Sequence, residues 1–237
     1  MLSQKIIPAH DRLILALDVA DTDKARAIVE ELGDAVTFYK LGLEMFMAGG
    51  YFELIDWLRA RGKKIFADLK FFDVPNTVGA AVRQLQGRGV DFATVHGNDA
   101  IMEAAAANKG DTKILAVTVL TCLDEGDMKA LGFEANPRAV VLSRAKRALA
   151  LGCDGVISSG LEIDGIRGEV GENFLVVVPG IRPVVNRVAD DQKRTVDVED
   201  AFRLGADYIV VGRPIMNAAS PKAAAEDIQA RIAKLFG

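Results

Sequence analysis

Eight short apolar runs recur along the chain, and each is followed by a segment with the pattern of a helix. The first run, at residues 13–18, is continuous and ends in an acid, which is typical of a strand buried on both faces of a parallel sheet. We predict strands at residues 13–18, 36–40, 64–70, 91–96, 114–119, 155–158, 174–178 and 208–211. Helices are predicted at residues 23–32, 51–61, 77–86, 100–107, 138–151, 198–204 and 221–236, with a small one after residue 161.

This alternation of strand and helix favours one α/β architecture, a single (β/α)8 TIM barrel. No linker rich in Pro, Gly or Ser and no shift in composition divides the chain, so we expect one domain over residues 1–237. A doubly wound open sheet is the main alternative. Its dinucleotide-binding form is disfavoured because no G-x-G-x-x-G follows the first predicted strand.

Composition narrows the class of protein. The formal net charge is -4 and the sequence has no run of Lys or Arg, which disfavours a nucleic-acid-binding surface. No apolar stretch reaches the length of a membrane span, and the N-terminus lacks the apolar segment of a signal peptide. Cys122 and Cys153 are too few for a disulfide framework and suit a reducing compartment. We therefore expect a cytoplasmic protein that binds neither nucleic acid nor membrane.

Three ionisable residues cluster where the third predicted strand ends. Asp68 and Lys70 are two positions apart, so in a strand their side chains share a face, with Cα atoms about 7 Å apart. Asp73 follows just before Pro75, which cannot donate to a strand ladder. Because burying unpaired charges is costly, this cluster indicates a functional site. The alternative is a structural ion pair, with Asp73 or Asn76 capping the next helix.

Other polar residues stand at the same ends of neighbouring strands. Asp18 ends the first predicted strand, Lys40 the second and His96 the fourth, and Thr121 follows the fifth. In a barrel the carboxyl ends of the strands meet at one mouth, where active sites lie. The alternation of acids and lysines on adjacent strands therefore predicts a charged active site. His96 alone is more typical of a hydrogen-bonded packing residue than of a catalyst.

The loops after the seventh and eighth predicted strands have the composition of an anion site. Each brings a Gly close to an Arg: Gly180 with Arg182, and Gly212 with Arg213. Gly lets a backbone N–H approach an oxygen closely, and Arg supplies a two-pronged donor. Because phosphate sites of such barrels lie at these two loops, we expect one here. Gln192 would reach it from the long connection after the seventh predicted strand, residues 181–195. That connection is expected to act as a lid, the alternative being a surface loop with solvated charges.

The ten residues from Asp68 to Thr77, DLKFFDVPNT, closely resemble the signature of the orotidine 5′-monophosphate decarboxylase family, in its shorter bacterial form. The resemblance covers nearly the whole chain. It includes LALD at 15–18, FYK at 38–40, VTVLT at 117–121, PGIRP at 179–183, DQ at 191–192 and VGRP at 211–214. Two positions depart from the family pattern, since Phe72 stands where many members have His and Cys122 where many have Ser. Neither position carries a catalytic role in the family.

This resemblance implies a decarboxylase domain over the whole chain that acts in de novo pyrimidine synthesis. The substrate would be a small nucleotide, orotidine 5′-monophosphate, converted to uridine 5′-monophosphate without cofactor or metal. Lys70 would donate the proton to carbon 6, and Asp68 would face the departing carboxylate. Lys40 would order the charges and contact the ribose, and Asp18 would bind a ribose hydroxyl.

The remaining roles that the resemblance implies concern the base, the phosphate and a second copy of the chain. Thr121 would contact the pyrimidine. The phosphate side would be served by four residues: Arg182, Gln192, Gly212 and Arg213. Asp73 and Thr77 would reach the active site of the neighbouring subunit in a homodimer.

Two other functions stay open. Magnesium-dependent sugar-phosphate decarboxylases and aldolases of the same superfamily share D-x-K-x-x-D but carry an acid at the end of strand two as a metal ligand. Lys40 stands at that position here and would repel a cation. A non-catalytic phosphate-binding barrel is the second alternative, and pure binding does not require four charged residues together: Lys40, Asp68, Lys70 and Asp73.

Overall fold

The computed structural model describes residues 2–134, 136–183 and 195–237. Its eight strands form one closed barrel in strand order, with every neighbouring pair parallel and β8 paired with β1. The strands are β1 Leu13–Ala16, β2 Phe38–Leu41, β3 Lys64–Phe71, β4 Phe92–His96, β5 Lys113–Val117, β6 Gly155–Ile157, β7 Leu175–Val178 and β8 Tyr208–Val211. The predicted (β/α)8 barrel is confirmed, and the open-sheet alternative is wrong because an open sheet has no closing pair.

Helices connect the strands on the outside of the barrel. Those that the sequence pattern predicts are α1 Thr22–Leu32, α3 Tyr51–Arg59, α4 Pro75–Arg83, α5 Asp99–Ala107, α7 Pro137–Ala150, α8 Ile163–Val170, α9 Val198–Leu204 and α11 Pro221–Phe236. The sequence pattern does not predict three shorter helices: α2 Leu43–Ala48, α6 Glu125–Ala130 and α10 Arg213–Met216. In the part of the chain that the structure describes, none of the helices has the length and hydrophobicity of a membrane span.

Two helices are capped in different ways. Helix α1 has Asp21 as its N-cap, whose Oδ1 accepts a first-turn backbone N–H at 2.6 Å, and Gly33 as its C-cap, with a φ of +52°. Helix α4 has Val74 as its N-cap, and no side chain caps it. The alternative in which Asp73 or Asn76 caps this helix is therefore wrong.

Aromatic rings fill the inside of the barrel below its mouth. Phe92 packs against Phe38 with ring centroids 5.0 Å apart, and against Tyr208 at 5.1 Å. Phe66 also packs against Phe92, with ring centroids 6.0 Å apart. A second, larger apolar cluster separates the strands from the surrounding helices. The side chains at the mouth therefore extend from strands whose inner faces are closely packed.

A repeated hydrogen bond ties even strands to odd ones at the amino-terminal end of the barrel. Asp91, Asp154 and Asp207 each directly precede an even strand, β4, β6 or β8. Each carboxylate accepts a backbone N–H from the second residue of the preceding odd strand at 2.8 Å. The three donors are Ile65, Ile114 and Val176. These bonds satisfy N–H groups at the strand ends, which would otherwise lose a partner.

Asp207 has further contacts with the N-terminal arm, which we define as residues 3–12. Its side chain accepts from the Ser3 hydroxyl and from Lys5 Nζ at 3.0 Å, and its backbone oxygen accepts from Arg12 Nη1 at 3.2 Å. The Arg12 guanidinium lies 3.7 Å from the ring centroid of Phe236 in α11. The arm is thereby fixed to both β8 and the last helix.

Candidate active site

The mouth of the barrel holds a cavity of about 350 Å³, within the range of small-molecule sites. It lies at the carboxyl ends of the strands, where the sequence analysis places the site. Its charged and polar side chains are Asp18, Lys40, Asp68, Lys70, Thr121, Arg182, Arg213 and Asn217. Its apolar lining includes Ala16, Phe66, Val117, Val119, Ile157 and Val210.

Four charged residues alternate in sign across the ends of β1, β2 and β3. Asp68 Oδ2 accepts from Lys70 Nζ at 2.9 Å and lies 3.3 Å from Lys40 Nζ. Lys40 Nζ also donates to Asp18 Oδ1 at 3.2 Å. We call Asp18, Lys40, Asp68 and Lys70 the charge array. Lys40 and Asp68 are nearly buried, whereas the Lys70 side chain keeps 32 % of its surface exposed toward the mouth.

The electrostatics of the array keep its two buried members charged. Burial raises the pKa of Asp68, but the charges of Lys40 and Lys70 and the hydrogen bonds outweigh it, so this pKa lies below its usual value of 3.8. Burial lowers the pKa of Lys40, yet Asp68 and Asp18 raise it above 10.5. Both groups are therefore ionised at neutral pH.

Strand β3 is irregular where it carries these charges. Its pairing with β4 is regular up to Ala67 and resumes at Phe71, so residues 68–70 lie opposite Thr94 alone. Lys70 has a φ of +47°, the only positive φ of a non-glycine residue in the described part of the chain. For a residue with a Cβ this conformation costs roughly 1–2 kcal/mol. The sequence analysis predicts the shared face of Asp68 and Lys70, but not this distortion.

Thr94 is fully buried and contacts two of the three residues of the distorted segment. Its Oγ1 donates to Asp68 Oδ1 at 2.8 Å and accepts the backbone N–H of Lys70 at 2.9 Å. Sequence reasoning missed Thr94, because a single Thr in an apolar strand is also typical of packing. The available signal was its place near the end of the strand next to D-x-K.

The proposed phosphate side is also at the mouth. Gly180 and Arg182, after β7, and Gly212 and Arg213, at the start of α10, all line the cavity. Arg182 is buried, with 8 % of its surface exposed. Helix α10 therefore begins beside the cavity. Gln192 and most of the predicted lid lie outside the described residues.

The remaining predicted residues divide into those in the cavity and those away from it. Thr121 lines the cavity and is buried. Asp73 and Thr77 are exposed and do not line it. His96 is also outside the cavity, and its ring packs on Phe72 with centroids 4.5 Å apart. That contact is one of packing, and the hydrogen bond expected for His96 stays a prediction.

Two residues of the cavity lining, Met216 and Asn217, are not predicted from the sequence, because they lie at the end of the short helix α10, which no pattern predicts. Pro179 also lines the cavity and belongs to the PGIRP motif. Within residues 2–134, 136–183 and 195–237, no three His, Cys, Asp or Glu side chains are grouped as metal ligands. The cavity has both positively and negatively charged side chains.

Comparison with known proteins gives one family over most of the chain. Residues 11–228 match the model of the orotidine 5′-phosphate decarboxylase / HUMPS family. An orotidine 5′-phosphate decarboxylase of Methylococcus capsulatus is 65% identical over 235 residues, which are 99% of this chain and 97% of that protein. The enzyme of the same name from Xanthomonas axonopodis pv. citri is 51% identical over 228 residues, or 95% of this chain and 93% of that protein.

A solved structure of the same family has the same fold. The crystal structure of orotidine 5′-phosphate decarboxylase from Lactobacillus acidophilus superposes with a TM-score of 0.81 at 35% identity. The alignment covers 94% of this chain and 99% of that one. The similarity therefore extends over both the barrel and its mouth.

Proposed function

We propose that this chain, which belongs to the orotidine 5′-phosphate decarboxylase / HUMPS family, decarboxylates orotidine 5′-monophosphate to uridine 5′-monophosphate without a cofactor. The observation that carries the proposal is the sharing of Asp68 Oδ2 by two ammonium groups, Lys70 at 2.9 Å and Lys40 at 3.3 Å. These groups stand at the edge of a cavity of about 350 Å³. Such an array supplies fixed charges at one reacting centre.

The chemistry needs a positive charge at one atom. When the bond between carbon 6 and the carboxylate breaks, carbon dioxide leaves and the electron pair stays on carbon 6, where no neighbouring π-system delocalises it. The Lys70 ammonium stabilises this developing anion and then gives it a proton. Lys70 is suited to this because Asp68 orients its Nζ while part of its side chain stays exposed to the cavity.

The other members of the array bind and orient the substrate. Asp68 faces the departing carboxylate, and a negative charge there raises the energy of the bound substrate relative to the transition state. Lys40 lies between two acids, which fixes its ammonium and lets it both hold Asp68 in place and contact the ribose. Asp18, whose side chain is half exposed, binds a ribose hydroxyl.

The loops after β7 and β8 bind the phosphate. Arg182 and Arg213 both line the cavity and offer two-pronged donors, and the backbone of Gly212 can approach an oxygen closely. Gln192 completes this side from the predicted lid, and Thr121 contacts the pyrimidine. Because the phosphate is remote from carbon 6, its binding energy can be used to close the site around the reacting atoms.

Lys40 also separates this proposal from a magnesium-dependent reaction. An acid at this position would add a ligand for Mg²⁺, whereas the ammonium of Lys40 lies within 3.3 Å of both Asp18 and Asp68 and neutralises them. Phosphate binding alone does not require Lys70 to adopt a strained backbone conformation. Backbone strain of this kind is typical of functional sites.

We also propose a homodimer with shared active sites. The segments that follow the neighbouring strands β2 and β3 leave apolar side chains 44–79 % exposed, and contiguous exposed apolar surface marks interaction sites. These side chains are Leu43, Phe46, Met47, Phe72 and Val74. Asp73 and Thr77 belong to the same exposed segment and lie away from their own cavity. A second copy covering this face would receive them.

A cytoplasmic location in pyrimidine biosynthesis fits these proposals. Cys122 and Cys153 are free thiols, which suits a reducing compartment. The nucleotide substrate and the enzyme would then share that compartment.

A direct assay tests the proposed function. The purified protein, dialysed against a chelator, should consume orotidine 5′-monophosphate, followed by its loss of absorbance, and Lys70→Ala should abolish turnover. Lys146→Ala, which changes a lysine paired with Glu169 on the outer helices, is the matched control and should keep full activity. Activity that returns only with magnesium would support the metal-dependent class. Binding of the nucleotide without turnover would support the non-catalytic barrel.

A further inference from the structure

We propose that Thr94 is a positioning residue for the reaction, because its hydroxyl fixes the carboxylate of Asp68 and the backbone of Lys70 at once. The inference deepens the proposed function and rests on it. Thr94 does not line the cavity, so its side chain would not contact the substrate itself. It acts through the two residues that do.

The contacts form a closed circuit. The Lys70 N–H donates to Thr94 Oγ1 at 2.9 Å, Thr94 Oγ1 donates to Asp68 Oδ1 at 2.8 Å, and Asp68 Oδ2 accepts from Lys70 Nζ at 2.9 Å. One hydroxyl therefore joins the backbone end of the Lys70 residue to the carboxylate that orients its side-chain end. Both ends of the proton donor are held by the same group of atoms.

The direction of each hydrogen bond follows from the chemistry of the groups. A backbone N–H can only donate, so Thr94 must accept from Lys70. The hydroxyl has one hydrogen, and that hydrogen then points to Asp68 Oδ1. Asp68 must accept it, which an ionised carboxylate does. The circuit thus favours the charged form of Asp68 that the proposed reaction needs.

The circuit also accounts for the strained backbone. Lys70 has a φ of +47°, which a lysine adopts only where its surroundings hold it. The extra residues of β3 leave its N–H without a regular strand partner on β4. Thr94 supplies an acceptor at that position. Without it, the segment would relax and the ammonium would lose its alignment with Asp68.

Thr118 offers a matched comparison for a purely structural hydroxyl. It is also fully buried, near the end of β5, but its Oγ1 donates to the backbone oxygen of Ile157 at 2.8 Å. It has no contact with the charge array and does not line the cavity. Replacing Thr by Val at each position removes one buried hydroxyl with nearly the same volume, and only one of the two belongs to the circuit.

Turnover of orotidine 5′-monophosphate and binding of uridine 5′-monophosphate should respond differently to these changes. Thr94→Val should lower kcat about 10- to 100-fold, the effect of one hydrogen bond to a charged group. The Kd for uridine 5′-monophosphate, which lacks the carboxylate, should stay within about threefold. Thr94→Ser should retain kcat within about threefold because it keeps the hydroxyl, and Thr118→Val should behave as wild type.

A pair of variants of similar size covers the case in which Thr94→Val does not fold. Thr94→Cys resembles Thr94→Ser in volume, but a thiol is a weak donor and acceptor. We expect Thr94→Cys to lose kcat as Thr94→Val does, with a Tm close to that of Thr94→Ser. Equal kcat in the Ser and Cys variants, or an equal loss in Thr118→Val, would overturn the positioning role.

Hydrogen exchange of the Lys70 amide tests the circuit without substrate. It should be about tenfold or more faster in Thr94→Cys than in Thr94→Ser. The amide of Ile114, at the other end of the barrel, is the internal reference. Unchanged exchange at Lys70 would overturn the inference. Absence of turnover in wild type and in Thr118→Val, with the exchange difference present, would instead overturn the proposed function alone.

Discussion

Lys40 Nζ lies 3.3 Å from Asp68 Oδ2, and their side chains are 11 % and 10 % exposed. Each charge is stable in this place only because the other is present, since removing one partner of a buried pair leaves an uncompensated charge. The pair fixes one side of Asp68, while Lys70 and Thr94 occupy the other contacts of its carboxylate. The array therefore depends on charge balance as well as on position.

The acid stability of the protein should reveal the ionised Asp68. Because its pKa in the folded protein lies below the usual 3.8, its contribution to the free energy of unfolding is present above pH 3.8 and is lost as pH falls through the folded pKa. Asp68→Asn should therefore show a shallower loss of stability below about pH 4 than wild type does. Urea denaturation at a series of pH values measures this.

The control for the acid titration is Asp111→Asn, a change at an exposed acid. Its pH dependence should follow that of wild type. A wild-type curve that runs parallel to the Asp68→Asn curve below pH 3.8 would contradict the depressed pKa of Asp68.

Phosphate recognition should depend on Arg213. Arg213→Ala should lower kcat/KM for orotidine 5′-monophosphate by about 100-fold or more, because it removes a charge-assisted donor to the phosphate. Orotidine, which has no phosphate, should be nearly as poor a substrate for the variant as for wild type. Steady-state kinetics with both substrates measure this, with the exposed Arg147→Ala as control. An equal penalty on both substrates would exclude a phosphate role.

Shared active sites should allow two inactive chains to complement each other. Lys70→Ala and Asp73→Ala should each be nearly inactive alone. Random exchange of subunits makes half of the dimers mixed, and one of the two sites in each mixed dimer has no defect. Activity should therefore recover to about a quarter of wild type. The measurement is turnover after subunit exchange has been verified.

The control for complementation is the Lys70→Ala/Asp73→Ala double variant mixed with wild type. Its mixed dimers carry one defect in each site and should add nothing to the activity of the wild-type dimers. If the two single variants exchange subunits and stay inactive, Asp73 acts within its own chain and the shared-site proposal is wrong.

The hydrogen bonds at the amino-terminal end should contribute to stability and not to turnover. Asp154→Ala removes the acceptor of the Ile114 N–H and should lower the free energy of unfolding by about 1–3 kcal/mol. The value of kcat should not change, because Asp154 lies at the end of the barrel opposite the mouth. Asp111→Ala, at an exposed acid nearby, should change neither quantity. A loss of kcat without a loss of stability would contradict this division.

The sequence contains enough information for the barrel because eight mostly apolar runs alternate along the chain with segments of helical pattern. Parallel strands buried on both faces need such runs, and few other structures do. The short helices α2 and α10 are not predicted because they have six and four residues, too few for a helical period to be recognised. Their positions depend on packing at the mouth.

The candidate site is predictable where charge and spacing determine it. The two-residue spacing of Asp68 and Lys70 predicts that their side chains meet, and Lys40 lies at the end of the neighbouring strand. The positive φ of Lys70 and the extra residues of β3 are not predictable in this way. They depend on the pairing with β4, where the hydroxyl of Thr94 holds them, and no local preference of a lysine favours that conformation.

Asp207 has a consequence for the order in which the barrel assembles. The bonds of Asp91, Asp154 and Asp207 to the preceding strands join residues only 26, 40 and 31 positions apart. The bonds of Asp207 to Ser3 and Lys5 join residues 204 and 202 positions apart. Because the entropy cost of closing a loop grows with its length, the local ties can form early during synthesis, while the ring must wait for β8. The N-terminal arm thus finds its partner only after β8 has been made.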